Sequence, residues 1–472
     1  MAERNPQSRP ATLGALRAAG YPDRTVKQEI AANATERLRA GKPLVDGLVG
    51  FDQTVLPALE TALLAGHDLI LLGERGQAKS RIIRSLTELL DDEIPIIAGS
   101  EVNDHPFHPF TPAARRLADQ HGDDTPLEWI GREQRYAEKL ATPDIAVADL
   151  VGDVDPIKVA EGRYLGDDET IHFGLIPRHN RGIIAINELP DLAERIQVAL
   201  LNVMEERDVQ VRGYSLRLPL DLLVVTTANP EDYTNRGRII TPLKDRFGSE
   251  VRTHYPLSVD HEVDVMHAEA DVPHSDDMPA VVVPRFMSEV LAAFTRSLRQ
   301  AAEVNQRSGV SVRFSTGNYE TLAASAMRRA VRTREDNGVA RPSDLPAVIA
   351  ASMGKIEFES FEEGREIEIM TRLMKRSILE VFRRRVRGAD VAGLLDAFET
   401  GLEVTTGDLV SGRELMSQMD RIPGLAAVLA SLEVEENPSM AAAAVELCLE
   451  GLHLSRRLDR HESESGYTYV GG

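Results

Sequence analysis

Gly73–Ser80 reads GERGQAKS. A phosphate-binding loop has the pattern G-x-x-x-x-G-K-[ST]. Here Ala78 stands where the second Gly belongs, followed by Lys79 and Ser80. Before it, Asp68–Leu72 (DLILL) is an apolar run of buried-strand length; after it, Ile82, Ile83, Leu86, Leu89 and Leu90 fall at helical spacing. Strand, Gly-bearing turn and helix in that order aim successive backbone N–H groups inward and set a phosphate at the positive end of a helix dipole. In that reading Lys79 neutralises the β- and γ-phosphates of ATP and Ser80 ligates Mg²⁺. Gly73 and Gly76 allow close backbone approach, and Glu74, Arg75, Gln77, Ala78 and Arg81 complete the nucleotide-binding loop. The competing reading is a chance Gly-rich turn; the flanking elements and the downstream motifs separate the two.

Gly182–Glu188 (GIIAINE) has the form of a second half for such a site, an apolar strand ending in a polar pair. The first position holds the water shell of Mg²⁺ and the second polarises the attacking water. The first is Asn187, whose amide oxygen accepts a hydrogen bond but carries no charge. Glu188 is the candidate base. Asn187 also suits capping of the following helix, and both roles can hold together.

Leu222–Thr226 (LLVVT) is a further strand, leading to Asn229, an amide placed to orient the lytic water. Pro242–Gly248 (PLKDRFG) offers Arg246 as an arginine finger for a neighbouring subunit, with Arg238 and Lys244 as weaker candidates; a guanidinium fork spreads positive charge over the transition state. Arg246 paired with Asp245 is the bland alternative. Arg313, in SVRFS at a helix start, is a candidate nucleotide contact, against an ordinary solvent-facing residue.

The rest of the chain bounds the answer. At about 150 residues per domain, 472 residues suggest roughly three domains. With 54 basic against 75 acidic residues the net charge is −21, which disfavours nucleic acid and anionic membranes as partners. A lone Cys448 rules out an intramolecular disulfide and a cysteine metal cluster. The N-terminus lacks a signal-peptide core and no stretch approaches the apolar run of about 18 residues that spans a bilayer, so the expected compartment is the cytoplasm. Ile94–Ala98 is another strand candidate for the sheet. Leu189, Leu192, Ile196, Leu200 and Val203 mark a helix, and Val209–Leu218 a hairpin. From Leu257 onward the pattern is helical, with no strands, and HESESGYTYVGG at the end reads as a frayed tail.

Three other clusters are notable. His105 and His108 lie near Asp104 in DHPFHP, a conceivable metal site but more simply a polar loop. Glu205, Glu206 and Asp208 read as a solvated helix end. Arg383, Arg384, Arg385 and Arg387 read as pairing with nearby acids such as Glu380. Neither G-x-S-x-G nor HExxH occurs.

In their order, these motifs resemble an AAA+ ATPase of the MoxR and magnesium-chelatase I-subunit clade, over about Leu44 to Lys355. DGLVGFDQTV (Asp46–Val55) is similar to the segment lining the adenine pocket, which implies Val49 and Gly50 as base contacts. ATPDIAVADLVGDVDP (Ala141–Pro156) and HFGLIPRHNRG (His172–Gly182) resemble the clade's insertion, and Asn187–Gly213 its helix and following hairpin. Arg313 falls where the lid arginine of the family falls. The longer segment Ser100–Leu140, with Trp129, and Asn187 in place of Asp point to a chelatase-like branch.

The expected fold is α/β: the pattern reads as a helical extension over 1–43 and a C-terminal helical region over 356–472, and between them the resemblance implies an AAA+ P-loop domain with a parallel sheet over 44–256 and a helical lid over 257–355. The resemblance also implies ATP with Mg²⁺, a ring, expected as a hexamer, and a partner bearing a von Willebrand A domain. The leading expectation is an ATPase that remodels a protein partner. The rivals are the motor subunit of a chelatase inserting Mg or Co into a tetrapyrrole, and a nucleotide-gated scaffold with weak hydrolysis, the latter suggested by Asn187. An activator acting on the alternative sigma factor is disfavoured because its GAFTGA loop is absent.

Overall fold

The computed structural model describes residues 9–154, 171–205, 209–211, 214–216, 218–230, 238–305, 309–359, 364–387, 391–419, 422–434, 437–463 and 466–472. The chain divides into two units, Met1–His254 and Tyr255–Gly472.

In the first unit, β1 (Leu69–Leu72), β2 (Tyr136–Leu140), β3 (Gly182–Asn187), β4 (Leu222–Ala228) and β5 (Ser249–Arg252) form a parallel sheet in the order β5-β1-β4-β3-β2. The runs LILL, GIIAI and LLVVTTA are buried along their length because both faces of a parallel sheet are covered. The pleat sends alternate residues to opposite cores. Leu69, Leu71, Ile183, Ala185, Leu223 and Val225 join one core; Ile70, Leu72, Ile184, Ile186, Leu222 and Val224 join the other. Helices Val26–Arg39, Val55–Leu64 and Lys79–Ser85 close the first with Ile30, Leu59, Ile82 and Ile83. Helix Glu194–Glu205 closes the second with Ile196, Leu200 and Val203.

The segment read as an N-terminal extension, 1–43, therefore shares the sheet's own core. Its helix is capped reciprocally by Thr25 and Gln28. It buries Glu29 against Arg135, with Nη1 and Nη2 at 2.8 and 2.7 Å from the carboxylate.

One strand expectation changes, and two strands of the sheet were not expected. Glu93–Ile97 does not join the parallel sheet; it pairs antiparallel with Leu127–Gly131. The edge is β2, from inside the segment Ser100–Leu140. A short apolar run marks a strand but not its partner. β5 was hidden because SEVR buries Val251 alone.

The register brings the strand ends together. Leu72 pairs with Ala228 and with Arg252, and Ile186 pairs with Thr226. The carboxyl ends of β1, β3 and β4 thus open at one edge, where ligands bind in open α/β sheets.

In the second unit the helices Val259–Glu269, Arg285–Gln300, Val312–Thr333, Leu345–Ser352, Glu366–Arg385 and Pro438–Leu454 surround one core. The segments 257–355 and 356–472 contribute to it jointly, from Val263 to Tyr469. Strands do occur here, correcting the helical expectation. Ala280–Val282 pairs with Asn337–Val339. The end of the chain is also not frayed: Leu458–Ser463 and Gly466–Gly471 form a hairpin, with Val404–Thr406 on its outer edge. Tyr469 is 2% exposed, and its hydroxyl donates to Glu450 Oε2 at 2.6 Å. The alternation in GYTYV, rather than its terminal position, is what decides the structure. Among the described residues no helix is long and apolar enough to cross a membrane.

Candidate nucleotide site

The loop leaves β1 at Gly73 and ends in the helix Lys79–Ser85. A Cβ on Gly73 would overlap Thr253 Oγ1 and Gln77 Oε1, so only Gly fits there. Gln77 is buried and braces the loop; its Oε1 accepts from the Glu74 N–H at 3.0 Å and from the Thr253 hydroxyl at 2.9 Å. Gly76 has φ 76° and Ala78 has φ 58°, both left-handed. The mismatch at Ala78 thus falls where the pattern's Gly has a conformational reason.

Lys79 is buried, and its ammonium donates to the carbonyls of Gly73 and of Glu74, the latter at 2.8 Å, and to Asn229 Oδ1 at 2.9 Å. Asn229 Nδ2 donates in turn to Glu188 Oε2 at 2.7 Å. Glu188 itself sits at φ 57°, ψ 50°, a conformation costly for a side chain with a Cβ. Its N–H is met by Thr227 Oγ1 at 2.9 Å.

The Thr227 hydroxyl reaches Asn187 Oδ1 at 3.4 Å, and Asn187 Nδ2 donates to Glu138 Oε1 at 2.6 Å. Glu138 receives Arg84 through Nε at 2.8 Å and Nη2 at 3.2 Å, and the Tyr136 hydroxyl at 3.0 Å. The Arg84 guanidinium holds the Glu138 carboxyl below its ordinary range, against the opposing effect of partial burial. Lys79 and Arg84 lie on the same helix, so the polar contacts close a ring through β2, β3 and β4.

The structure therefore brings together Lys79, Asn187, Glu188 and Asn229. The segment Asp46–Val55 lies against the same helix: a Cβ on Gly47 would come within 2.5 Å of Arg81 Nη2. Within that segment Val49 is partly buried and Gly50 has φ 76°. Arg75 is exposed.

Arg246 ends the helix Thr241–Arg246 and pairs with Glu205, not Asp245. Lys244 lines the cleft beside Gly73, Gln77 and Thr253. Arg313 is the exposed second residue of helix Val312–Thr333 in the second unit. Glu205 is accounted for by Arg246, while Glu206 and Asp208 lie outside the described residues. Arg384 and Arg385 pair with Glu289, at 2.7 Å for Arg384, instead of Glu380.

Sequence reasoning missed Glu138, Thr227 and Thr253. Thr227 had a signal, as a polar residue closing a strand next to Asn229. Glu138 and Thr253 had none, because their strands were not recognised.

Asp104 is fully buried and is a knot for its own loop, accepting from Phe110 N, Thr111 N, Thr111 Oγ1 and Ser100 Oγ at 2.7–3.0 Å. The histidines instead meet Asp23: His108 Nε2 is 2.8 Å and His105 Nε2 3.7 Å from its carboxylate. His105 Nδ1 accepts the Phe107 N–H at 3.1 Å, which puts the ring proton on Nε2, the atom a metal would need. The trio is therefore a poor metal site.

Ser80 and Asn187 offer a hydroxyl and an amide oxygen, neutral oxygen donors that suit an Mg²⁺ held largely by water. Together with the Gly73 cradle and Lys79, the residues present fit an Mg–nucleotide.

Comparison with known proteins agrees with the motif order. Residues 158–247 match the family described as the sigma-54 interaction domain. The chain is 30% identical over 232 residues to the magnesium-chelatase 38 kDa subunit of Cereibacter sphaeroides, covering 46% of this chain and 61% of that protein. It is 29% identical over 191 residues to the magnesium-chelatase subunit ChlI of Anabaena variabilis, covering 39% and 52%. The chain thus spans less than two thirds of these relatives. A solved complex of the BchI and BchD subunits of magnesium chelatase aligns at TM-score 0.34 and 20% identity, over 72% of this chain and 94% of that one. By its parallel sheet and the order of its motifs the first unit has the α/β fold of an AAA+ P-loop domain, and in sequence it is similar to subunits of magnesium chelatase at about 30% identity.

Proposed function

We propose that this chain binds and hydrolyses ATP and couples the cycle to remodelling of a protein partner. It works in the cytoplasm as a ring, a hexamer, beside a partner with a von Willebrand A domain. The observation that carries the ATP reading is the Lys79–Asn229–Glu188 chain of contacts beside a phosphate loop.

In this mechanism Lys79 exchanges Asn229 for phosphate oxygens. Glu188 takes the proton of the attacking water, which Asn229 helps to orient. Ser80 and Asn187 would hold Mg²⁺, whose charge offsets that on the β- and γ-phosphates. Val49 and Gly50 border the base. Arg246 parts from Glu205 to act on the neighbouring subunit's nucleotide, and Arg313 is a further nucleotide contact.

The test is steady-state ATP hydrolysis against protein concentration. The rate per subunit is expected to rise with concentration and to vanish in Glu188→Gln, which still binds ATP. Lys79→Ala is expected to lose tight binding. Full turnover by Glu188→Gln would remove its role; a rate independent of concentration would remove the shared site.

A second reading, the motor of a metal chelatase inserting Mg or Co into a tetrapyrrole, is favoured by the 30% identity to a chelatase subunit. Metal insertion that requires both this chain and ATP, with separate chelatase subunits supplied, would select it. A third, a nucleotide-gated scaffold, is favoured by the uncharged Asn187; tight ATP binding without turnover would select it.

A further inference from the structure

Asn187 stands where an acidic residue would set a full negative charge beside a bound cation. Its amide can point two ways, and Glu138 chooses between them. With Nδ2 donating to Glu138 Oε1 at 2.6 Å, Oδ1 is the atom turned to the Thr227 hydroxyl at 3.4 Å. The reverse orientation would press the amide oxygen against a carboxylate, two acceptors in contact.

Glu138 is itself well fixed. It sits on β2, paired in register with Ala185 of β3, and its side chain is 19% exposed. Arg84, from the phosphate-loop helix, reaches it with two N–H groups while remaining 67% exposed. The positive end of this ion pair thus faces water, and the negative end faces Asn187.

We propose that Glu138 is a positioning residue of the nucleotide site, turning the Asn187 amide oxygen toward the cation and supplying from the neighbouring strand the negative charge that Asn187 lacks. The proposal rests on the Mg–ATP reading of the site. It has a consequence for Asn187: this site takes a carboxylate at 138 or at 187, but not at both. Asn187→Asp would set two acceptors, both negative, where a hydrogen bond now runs.

The experiment compares the full chain with Glu138→Gln, Asn187→Asp and the double variant. The first readout is affinity for a fluorescent N-methylanthraniloyl-ATP, measured with Mg²⁺ and again with EDTA. Gln keeps an oxygen to accept from Asn187 Nδ2 but loses the charge, so a purely structural role would leave the Mg²⁺ advantage in place. Glu138→Gln is expected to cut that advantage about tenfold, as loss of an outer-shell partner does. The second readout is melting without nucleotide. Asn187→Asp is expected to melt lower by about 3 °C or more, and Glu138→Gln on top of it to recover most of that loss.

A Mg²⁺ advantage within twofold of the parent in Glu138→Gln would overturn the proposal, as would Asn187→Asp melting no lower than the parent. A parent chain that binds no nucleotide would instead overturn the ATP reading, which keeps the two failures distinct.

Discussion

Asn229 Nδ2 lies 2.7 Å from Glu188 Oε2, while Oδ1 of the same amide accepts from Lys79 at 2.9 Å. An ammonium, an amide and a carboxylate are thus linked in series, the amide donating to one partner through its nitrogen while accepting from the other through its oxygen. Replacing Asn229 with Ala removes an acceptor of Lys79 that competes with phosphate, so ATP binding is expected to hold or tighten. Glu188 loses its donor, and turnover is expected to fall about 10²-fold, the lower range for a misplaced general base. Asn229→Asp keeps the partner of Lys79 but sets a carboxylate against Glu188, and is expected to lose turnover at least as far. Equilibrium binding with single-turnover hydrolysis separates the effects; Asn229→Ala turning over at the parent rate would show that Glu188 does not depend on this contact.

Ala78, at φ 58° and ψ 12°, is the loop residue where the phosphate-loop pattern asks for Gly. A left-handed conformation costs an L-residue about 1–2 kcal/mol. The extra freedom of an unfolded Gly offsets about 0.4–1 kcal/mol of the relief. Ala78→Gly is therefore expected to hold or slightly raise the melting temperature, and Ala78→Val to lower it, since a β-branched residue tolerates this region worst. Melting of the two variants beside the parent checks the order. Gly73→Ala is a sterner case, because its Cβ would overlap Thr253 and Gln77; it is expected to lose nucleotide binding outright.

How far the sequence could be read follows from these same residues. Gly73, Lys79, Glu188 and Asn229 declare themselves because a phosphate loop and strand-end polar residues have local signatures, and the structure brings three of these side chains into hydrogen-bond contact. Glu138 and Thr253 carry no such signature. Each becomes part of the site only through strand pairing, and β2 and β5 lack the apolar runs that betray β1, β3 and β4. The N-terminal helix was legible as a helix, but its place against the sheet was not. Its buried charge, Glu29, finds its partner 106 residues away. Tyr467 and Tyr469 alternate as a strand should, and the terminal position outweighed that signal.

The Glu29–Arg135 pair ties the helix Val26–Arg39 to the residue just before β2, so it is a stability element as well as a contact. Arg135 is fully buried, Glu29 is 4% exposed, and the Glu29 carboxylate also accepts the Asp91 N–H at 2.7 Å. Removing one member of a buried pair strands the other, at a cost of about 3–5 kcal/mol. Glu29→Ala is expected to destabilise the first unit on that scale. Replacing both, Glu29→Leu with Arg135→Met, is expected to cost much less, since no charge is left unpaired. Urea unfolding of the parent, the single and the double variant measures this; equal losses in the single and double variants would show that packing, not charge, is what the pair supplies.

His105 makes stability depend on pH in a defined direction. Burial, and secondarily the charge of Arg181, push its pKa down from 6.5 to about 3, against the pull of Asp23. Between those values the unfolded chain binds a proton at this site that the folded chain does not, so the site's contribution is present above about pH 6.5 and is lost as the pH falls. The slope is at most about 1.4 kcal/mol per pH unit. His105→Asn keeps an acceptor for the Phe107 N–H and removes the titration. The stability difference between parent and variant is therefore expected to shift by up to about 2 kcal/mol toward the variant between pH 6.5 and 5. Urea midpoints at pH 7, 6 and 5 give that difference, and because both chains share every other titrating group, parallel curves would mean that His105 protonates as readily in the folded chain as in the unfolded one.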